Sequence, residues 1–375
     1  MEVMDSYHIH IIHGEYLIKI KNVYGLWFVT GDSIEYEIIN FGKNLATLTQ
    51  QYYNRYTVST KEIAYSRANK ISSKLRTECG IVKFPEGRFA TIPGNLYEDV
   101  SPDMISGQET FENNDRLVTI PNNLYKGKNI KYLVKIFKNC RNLKNIPNDL
   151  FKDMVDLESV DDIFNNCSNI ENIPEELFKY NSKLQRIDTG NSESGMFYNC
   201  NKIKNIPENL FKFNTELEEI NTMFSGCTGI KNIPENLFRY NSKLGKLYAT
   251  FLNTGVTNIP ENLFRYNQGL YSLSSIFMGT KITNIPENLL KFNTKLYIIA
   301  LMFAECRELR SIPERLLKNT SWERLYHCNL MFWNCTGLTY VPVSMFSISR
   351  SLGLDGVFKG CTNASNYNNI DSRFK

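Results

Sequence analysis

Cysteine is the residue whose placement in this chain most invites a chemical reading. Seven of the nine cysteines, Cys140, Cys167, Cys200, Cys227, Cys306, Cys335 and Cys361, occupy one setting, Phe-x-x-Cys. A zinc site wants ligands paired at close spacing, whereas these recur singly, with Cys140 and Cys167 already 27 residues apart. If neighbouring coils bring equivalent cysteines to about 5 Å, their Cβ vectors run in parallel, which is poor disulfide geometry. The seven therefore read as a buried, reduced structural row: a small side chain with a weak donor for a neighbouring carbonyl. Thr254, Thr280 and Asn114 take the same place in three other units, and Cys79 and Cys328 lie outside the row. His8 and His10 share one face of an expected strand, with His13 nearby, but further metal ligands are not located, so they read as surface histidines. His327 is the only other histidine, and no Gly-rich phosphate loop, Gly-x-Ser-x-Gly, His-Glu-x-x-His or paired-cysteine redox motif occurs. The expectation is a non-enzyme with no catalytic residues, no metal and no cofactor.

The elements that hold these residues repeat. Ten of the twelve prolines, at 93, 121, 147, 174, 207, 234, 260, 286, 313 and 342, fall on one rhythm of roughly 28 residues. A full unit runs Leu217-x-x-Ile220-x-x-Met223-Phe224-x-x-Cys227-x-x-Ile230-x-x-Ile233-Pro234-x-x-Leu237-Phe238. Apolar residues spaced by three fit neither an amphipathic helix nor an alternating strand. The segment after each proline, Pro-Glu-Asn-Leu-Phe-Lys-Phe-Asn, reads as a short helix, with proline at the first position and Glu208, Glu235, Glu261 and Glu287 in the first turn. Lys212, Arg239, Arg265 and Lys291 then follow at i+4, and Asn214, Asn241, Asn267 and Asn293 stand where a left-handed cap would end the helix. On that reading the charge rows neutralise each other within each helix rather than forming a stripe for a polyanion.

The composition bounds the class. The chain has 375 residues, 42% hydrophobic and 22% charged, with a net charge of +4, which argues against a nucleic-acid partner unless basic residues concentrate in a patch. An apolar run long enough to span a membrane, about 18 residues, is absent, so no membrane insertion is expected.

The pattern Phe-x-x-Cys-x-x-[Leu/Ile]-x-x-Ile-Pro, preceded by Leu-x-x-Ile-x-x-Met, resembles the BspA-like (Treponema-type) leucine-rich repeats over roughly residues 82 to 365. The resemblance implies an α/β repeat solenoid with a short strand and a short helix per coil, and a role in adhesion or host contact at a cell surface. By resemblance, the strand is placed in the Leu-x-x-Ile segment before each proline rather than in the Ile-x-x-Met-Phe segment such as 220–224. Residues 1–80 do not repeat and read as a β-rich capping or anchoring domain. Its expected strands are Tyr7 to Ile12, Tyr16 to Ile20, Val23 to Thr30 and Ile34 to Ile39, followed by a helix from Thr60 to Glu78. Residues 81–346 form the solenoid of about ten units, and 347–375 a degenerate last repeat with an Asn-rich closing tail.

Positions that recur serve the coil, and positions that vary are free to serve a partner. The variable pairs before Met-Phe include Asp161-Asp162, Asn221-Thr222, Ala249-Thr250, Ser274-Ser275 and Ala300-Leu301. The largest departure is an insertion, Asp188–Gly195, which nominates Asp188, Asn191, Ser192 and Glu193 as partner contacts, or as a tolerated surface loop. The row before Ile-Pro adds Asn205, Asn232, Asn258 and Asn284, which serve either a hydrogen-bond ladder or an Asn-lined ligand surface. Two functions fit: a non-catalytic module binding a protein or glycan, or a structural component of a larger assembly such as a phage or virion particle. No signal peptide is evident, so a cytoplasmic or virion-associated chain is expected over a classically secreted one.

Overall fold

The computed structural model describes residues 111–188, 194–320, 325–346 and 353–375 with their side chains, and the backbone of seven strands before them. The first six strands form two antiparallel three-stranded sheets: β1 (Ser6–Ile12), β2 (Tyr16–Val23) and β3 (Leu26–Thr30), then β4 (Tyr36–Phe41), β5 (Ala46–Gln50) and β6 (Arg55–Val58). The span expected as one strand from Val23 to Thr30 is divided, because β2 runs through Val23 and pairs it with Leu26 at the start of β3. β5 and β6 were not among the expected strands. The expected helix from Thr60 to Glu78 lies outside the described residues, as does Cys79.

From residue 106 the chain coils. β7 (Ser106–Gln108), β8 (Tyr132–Val134), β9 (Ser159–Asp161), β10 (Arg186–Ile187) and β11 (Glu219–Ile220) form one parallel sheet, each paired in register with the same positions one coil earlier. Single parallel bridges carry the series on through Lys246, Ser272, Ile298 and His327. The strand thus lies just before Met-Phe and ends at Ile220 in the unit quoted above, not in the Leu-x-x-Ile segment before proline. That latter segment makes only isolated contacts between coils, such as Lys144 N–H to Val118 O at 3.2 Å and Lys281 N–H to Val256 O at 2.9 Å.

After Pro342 a three-residue 3₁₀ helix forms, Val343–Met345, but from Pro121 to Pro313 the segment after the proline is not helical. Its bonds run Leu210 N–H to Pro207 O, Lys212 N–H to Asn209 O and Asn214 N–H to Phe211 O, at 3.1–3.3 Å, so three i→i+3 turns follow one another without an α-helical ladder. Stacking forbids the helix. An α-helix with its side chains is about 10–12 Å wide. The rings beneath these turns repeat at 5.6–6.3 Å from Phe151 through Phe178 and Phe211 to Phe238. On the other side of the coil, Phe111 through Phe358 stack at 5.3–6.0 Å. Both sides advance by nearly one strand spacing, and only turns are thin enough to fit. The α/β expectation is therefore corrected to a solenoid of short parallel strands and turns. The expected left-handed asparagine caps fall with the helix, since Asn214, Asn241, Asn267 and Asn293 are absent from the positive-φ residues.

Each coil turns two related corners around the core. At the first, the cysteine Sγ donates to the phenylalanine carbonyl of the preceding coil: Cys167 to Phe137 O at 2.9 Å, Cys227 to Phe197 O at 2.8 Å, Cys361 to Phe332 O at 3.0 Å. At the second, Phe-x-x-Asn, the buried asparagine Nδ2 reaches the same kind of carbonyl and one more: Asn241 donates to Phe211 O at 3.0 Å and Asn214 O at 2.7 Å. Asn181, Asn214, Asn267 and Asn293 repeat this double bond. The far end is closed by the tail, where Phe358 N–H bonds Phe374 O at 2.8 Å and the buried Phe374 ring packs on Phe346 and Phe358.

Candidate functional site

The positions nominated from sequence are dispersed. Asp188 is buried rather than displayed, only 2% exposed, and its φ is +63°. Its carboxylate accepts from Asp162 N–H at 2.9 Å and Met196 N–H at 2.7 Å, so it ties both ends of the insertion to the coil. Burial pushes the Asp188 carboxyl up from its ordinary value, and the nearby Asp161 and Asp162 charges push the same way. The partner-contact expectation for Asp188 is corrected accordingly: a short side chain that must supply two acceptors to backbone N–H groups is drawn inward. Asn191, Ser192 and Glu193 lie outside the described residues. Asn205, Asn232, Asn258 and Asn284 are exposed, and Asn258 and Asn284 bond only their neighbours Thr257 and Thr283, at 3.1 and 3.2 Å.

The ladders run elsewhere, through the buried asparagine corner and through a second row, Asn113–Asn139–Asn166–Asn199, linked Nδ2 to Oδ1 at 2.7–3.1 Å. Those four asparagines have φ of +57° to +63°, and they stand immediately before Asn114, Cys140, Cys167 and Cys200. The variable pairs before Met-Phe are also mostly internal: Asn221, Thr222 and Thr250 have no exposed surface. The second residue makes a left-handed corner at Asp162, Thr222, Ser275 and Leu301, and the first residue does so at Ala249. These pairs vary without facing a partner.

The seven row cysteines are free and buried. Burial pushes the thiols of Cys140, Cys227, Cys306 and Cys361 up to about 12, and raises Cys167, Cys200 and Cys335 well above the ordinary value. A thiol held protonated is neither nucleophile nor metal ligand. Thr254 and Thr280, in the two shortened units, bond the phenylalanine of their own coil instead, at 2.9 and 2.8 Å. Cys328 is buried too, in register with the core residues of the strand row.

The surface that does vary is the strand face. The residue after the buried aliphatic side chain (Ile130, then leucine in every later coil) reads, coil by coil, Lys131, Glu158, Gln185, Glu218, Gly245, Tyr271, Tyr297, Tyr326. The first half of this face is satisfied by its own charges: Tyr132 Oη donates to Glu158 at 2.8 Å, Lys131 lies 3.5 Å from Glu158, and Lys246 lies 3.8 Å from Glu219. The second half is aromatic. Tyr271, Tyr297 and Tyr326 are 40–44% exposed. The Tyr297 ring lies 5.5 Å from that of Tyr326 and edge-on to His327 at 5.8 Å. Gly245 opens this patch, because a Cβ there would stand 2.6 Å from the Tyr271 ring. Partial burial and the carboxylates of Glu219 and Glu218 raise the Tyr271 hydroxyl above its ordinary value, so it stays a neutral donor. Beyond Tyr326 an open pocket of about 560 Å³ is lined by His327, Asn329, Asp355, Lys359 and Lys375. Aromatic anchors beside convergent polar groups suit ligand capture rather than bond-making. Sequence reasoning looked at the pair before Met-Phe and missed this row, although Leu270-Tyr271, Leu296-Tyr297 and Leu325-Tyr326 stand in plain series against Leu157-Glu158 and Leu217-Glu218.

Comparison with known proteins agrees with the repeat architecture. Among solved structures the chain is similar to a TLR13–ssRNA13 complex (16% identity over 64% of this chain and 41% of that one, TM-score 0.30). It is likewise similar to the Toll–Spatzle complex of Drosophila (14%, 87% and 52%, TM-score 0.22). A third likeness is to the plant peptide hormone receptor RGFR1 with RGF2 (14%, 66% and 52%, TM-score 0.21). The chain thus spans about half the length of these structures or less. No curated protein matches it in sequence. The model of the BspA type leucine rich repeat region matches residues 105–271 and 204–364, in six copies. With well over half of its length covered, the chain belongs to the BspA-type leucine-rich repeat family.

Proposed function

We propose that the protein is a non-catalytic binding protein, adhesion-like in role, that seats a protein or glycan partner on the strand face at its Tyr271–Tyr297–Tyr326 end. One observation carries this: three half-exposed tyrosines occupy consecutively a position that the preceding coils fill with charged residues, glutamine or glycine. Rigid aromatic side chains on a fixed scaffold bury large area at low entropic cost, which is why they dominate binding energies at interfaces. The thiols, held protonated by burial, are unsuited to nucleophilic chemistry, which supports the non-catalytic reading. A glycan array and a display library of extracellular protein domains, probed with the full chain and then with Tyr297→Ala and Tyr326→Ala, test it. Affinity for any captured ligand should fall by about tenfold or more for each substitution. A ligand bound equally well by both variants would remove the strand face from consideration.

A further inference from the structure

The rows of charge after the prolines were expected to cancel within helices, but from Lys126 to Lys318 the segments that carry them are turns. Eight consecutive coils place a cation at one turn position: Lys126, Lys152, Lys179, Lys212, Arg239, Arg265, Lys291 and Lys318, all exposed. The glutamates expected to pair with them are engaged differently. Glu208, Glu235 and Glu261 each accept from the asparagine of the next coil, Asn236, Asn262 and Asn288, at 2.6–2.7 Å, while Glu287 faces Arg315 at 3.9 Å. Among the described residues, Lys179 is the one member of the cation row in an ion pair, with Glu176 at 2.7 Å.

What holds the row is aromatic. The residue after each cation is Tyr180, Phe213, Tyr240, Tyr266 or Phe292 in five successive coils. Phe213 has Lys179 and Lys212 over its ring at 5.9 and 5.5 Å; Tyr266 has Arg239 and Arg265 at 5.4 and 5.9 Å; Phe292 has Arg265 and Lys291 at 5.3 and 5.6 Å. Cations and rings interleave from coil to coil, with Phe213, Tyr266 and Phe292 each between the cation of its own coil and that of the coil before. Such contacts help hold the long side chains in place without neutralising their charge.

We infer that this turn face docks a linear acidic polysaccharide, sulfated or carboxylated, lying along the solenoid axis. A series of cations in one row, of which only Lys179 is in an ion pair among the described residues, complements a series of anions in one line. Three other occupants fit less well. A single-stranded nucleic acid needs ring faces on which its bases stack, and here cations already lie over the rings. A flat anionic membrane broad enough to cover the cations would also cover the parallel glutamate row. An acidic peptide would bring backbone N–H and C=O groups that require partners, whereas the face presents cations and the hydroxyls of Tyr180, Tyr240 and Tyr266, which suit sulfates, carboxylates and sugar hydroxyls.

Heparin is the probe. The full chain should bind it with an affinity that falls steeply with salt, and neutral dextran should not bind. Lys212→Gln/Arg239→Gln/Arg265→Gln should weaken heparin binding by roughly tenfold or more and flatten the salt dependence, in the manner of lost counterion release. Tyr297→Ala should leave heparin binding unchanged, which separates this surface from the strand face. The unaltered protein supplies a second readout: heparin should protect Lys212 and Lys291 from acetylation and leave Lys231, on another edge, reactive. The inference is overturned if heparin does not bind, if it binds without protecting Lys212 and Lys291, or if the triple variant binds undiminished. It is equally overturned if oligo-dT, poly-glutamate or phosphatidylserine vesicles bind as tightly as heparin.

Discussion

The two corners of each coil solve one problem with different chemistry. Both must satisfy a phenylalanine carbonyl turned toward the following coil, and both do so with the side chain that stands three residues after the equivalent phenylalanine of that coil. Cysteine gives one weak bond, as from Cys227 to Phe197 O at 2.8 Å. Asparagine gives two, as from Asn241 to Phe211 O and Asn214 O. The asparagine also leaves its own Oδ1 buried without a partner among the described residues at Asn181, Asn214, Asn241, Asn267 and Asn293. One corner is nearly apolar and forgiving. The other gains two bonds and carries the desolvation of an acceptor. Replacement within the chain matches this contrast, since threonine stands in for cysteine twice, while the asparagine holds from Asn181 to Asn293 without exception.

The widest separation of the corners should come from truncating each to alanine. Asn241→Ala forfeits two hydrogen bonds and part of a close-packed volume, with some return from removing the unpaired acceptor, and should cost about 2–3 kcal/mol. Cys227→Ala loses one weak bond and a sulfur, and should cost about 1 kcal/mol. Guanidinium unfolding measures both, and labelling of the buried thiols reports which coils open first. Equal costs would mean that volume, not hydrogen bonding, distinguishes the corners.

A smaller effect separates the backbone of the cysteine corner from its side chain. Gly226 precedes Cys227 with φ +74°, and a Cβ there would lie 2.1 Å from Asn199 Oδ1. Gly226→Ala should cost about 1–2 kcal/mol, partly through the left-handed backbone and partly through the clash. In the Asn199→Ala background the clash vanishes, so the cost should shrink to the backbone share of about 1 kcal/mol. A double-mutant cycle showing no coupling would refute the clash.

How much of this was readable beforehand depends on what each residue answers to. The cysteine row, its burial and the rhythm of the coils were legible because they repeat, and repetition is a statement about packing. The turns after proline were misread because Pro, Glu, Lys and Asn at those spacings satisfy every local helix rule. The veto comes from the coil spacing, which no single unit contains. The same local rule made Glu208 a partner of Lys212, whereas its partner is Asn236, 28 residues away. Asp188 was misread for the opposite reason. Polar residues in an insertion suggest display, but Asp188 is drawn inward to accept from Asp162 N–H of the preceding coil and from Met196 N–H just past the insertion.

Asp188 also supplies the mildest test of the comparison, because it inverts both corners. They place neutral donors against carbonyls, while it places an acidic acceptor against N–H groups. Asparagine does not titrate and the row thiols are pushed up, to about 12 at Cys227, so neither corner changes charge at neutral pH. The Asp188 carboxyl is held above its ordinary value by burial first and by the Asp161 and Asp162 charges besides, against the lowering effect of the hydrogen bonds it accepts from Asp162 N–H and Met196 N–H. A carboxyl whose folded value exceeds its unfolded one makes the folded state the better proton binder. Its contribution is fully present below the unfolded value of about 3.9 and is lost as pH rises through the folded value. Asp188→Asn cannot titrate, so the fall in stability from about pH 4 towards neutrality should be shallower than in the parent. The same substitution presents an NH₂ to one of the two N–H groups, which lowers stability at every pH without altering the slope. Unfolding curves at matched pH values separate the two effects: a changed offset with an unchanged slope would show that Asp188 is ionised in both states and that its burial is not what holds the proton.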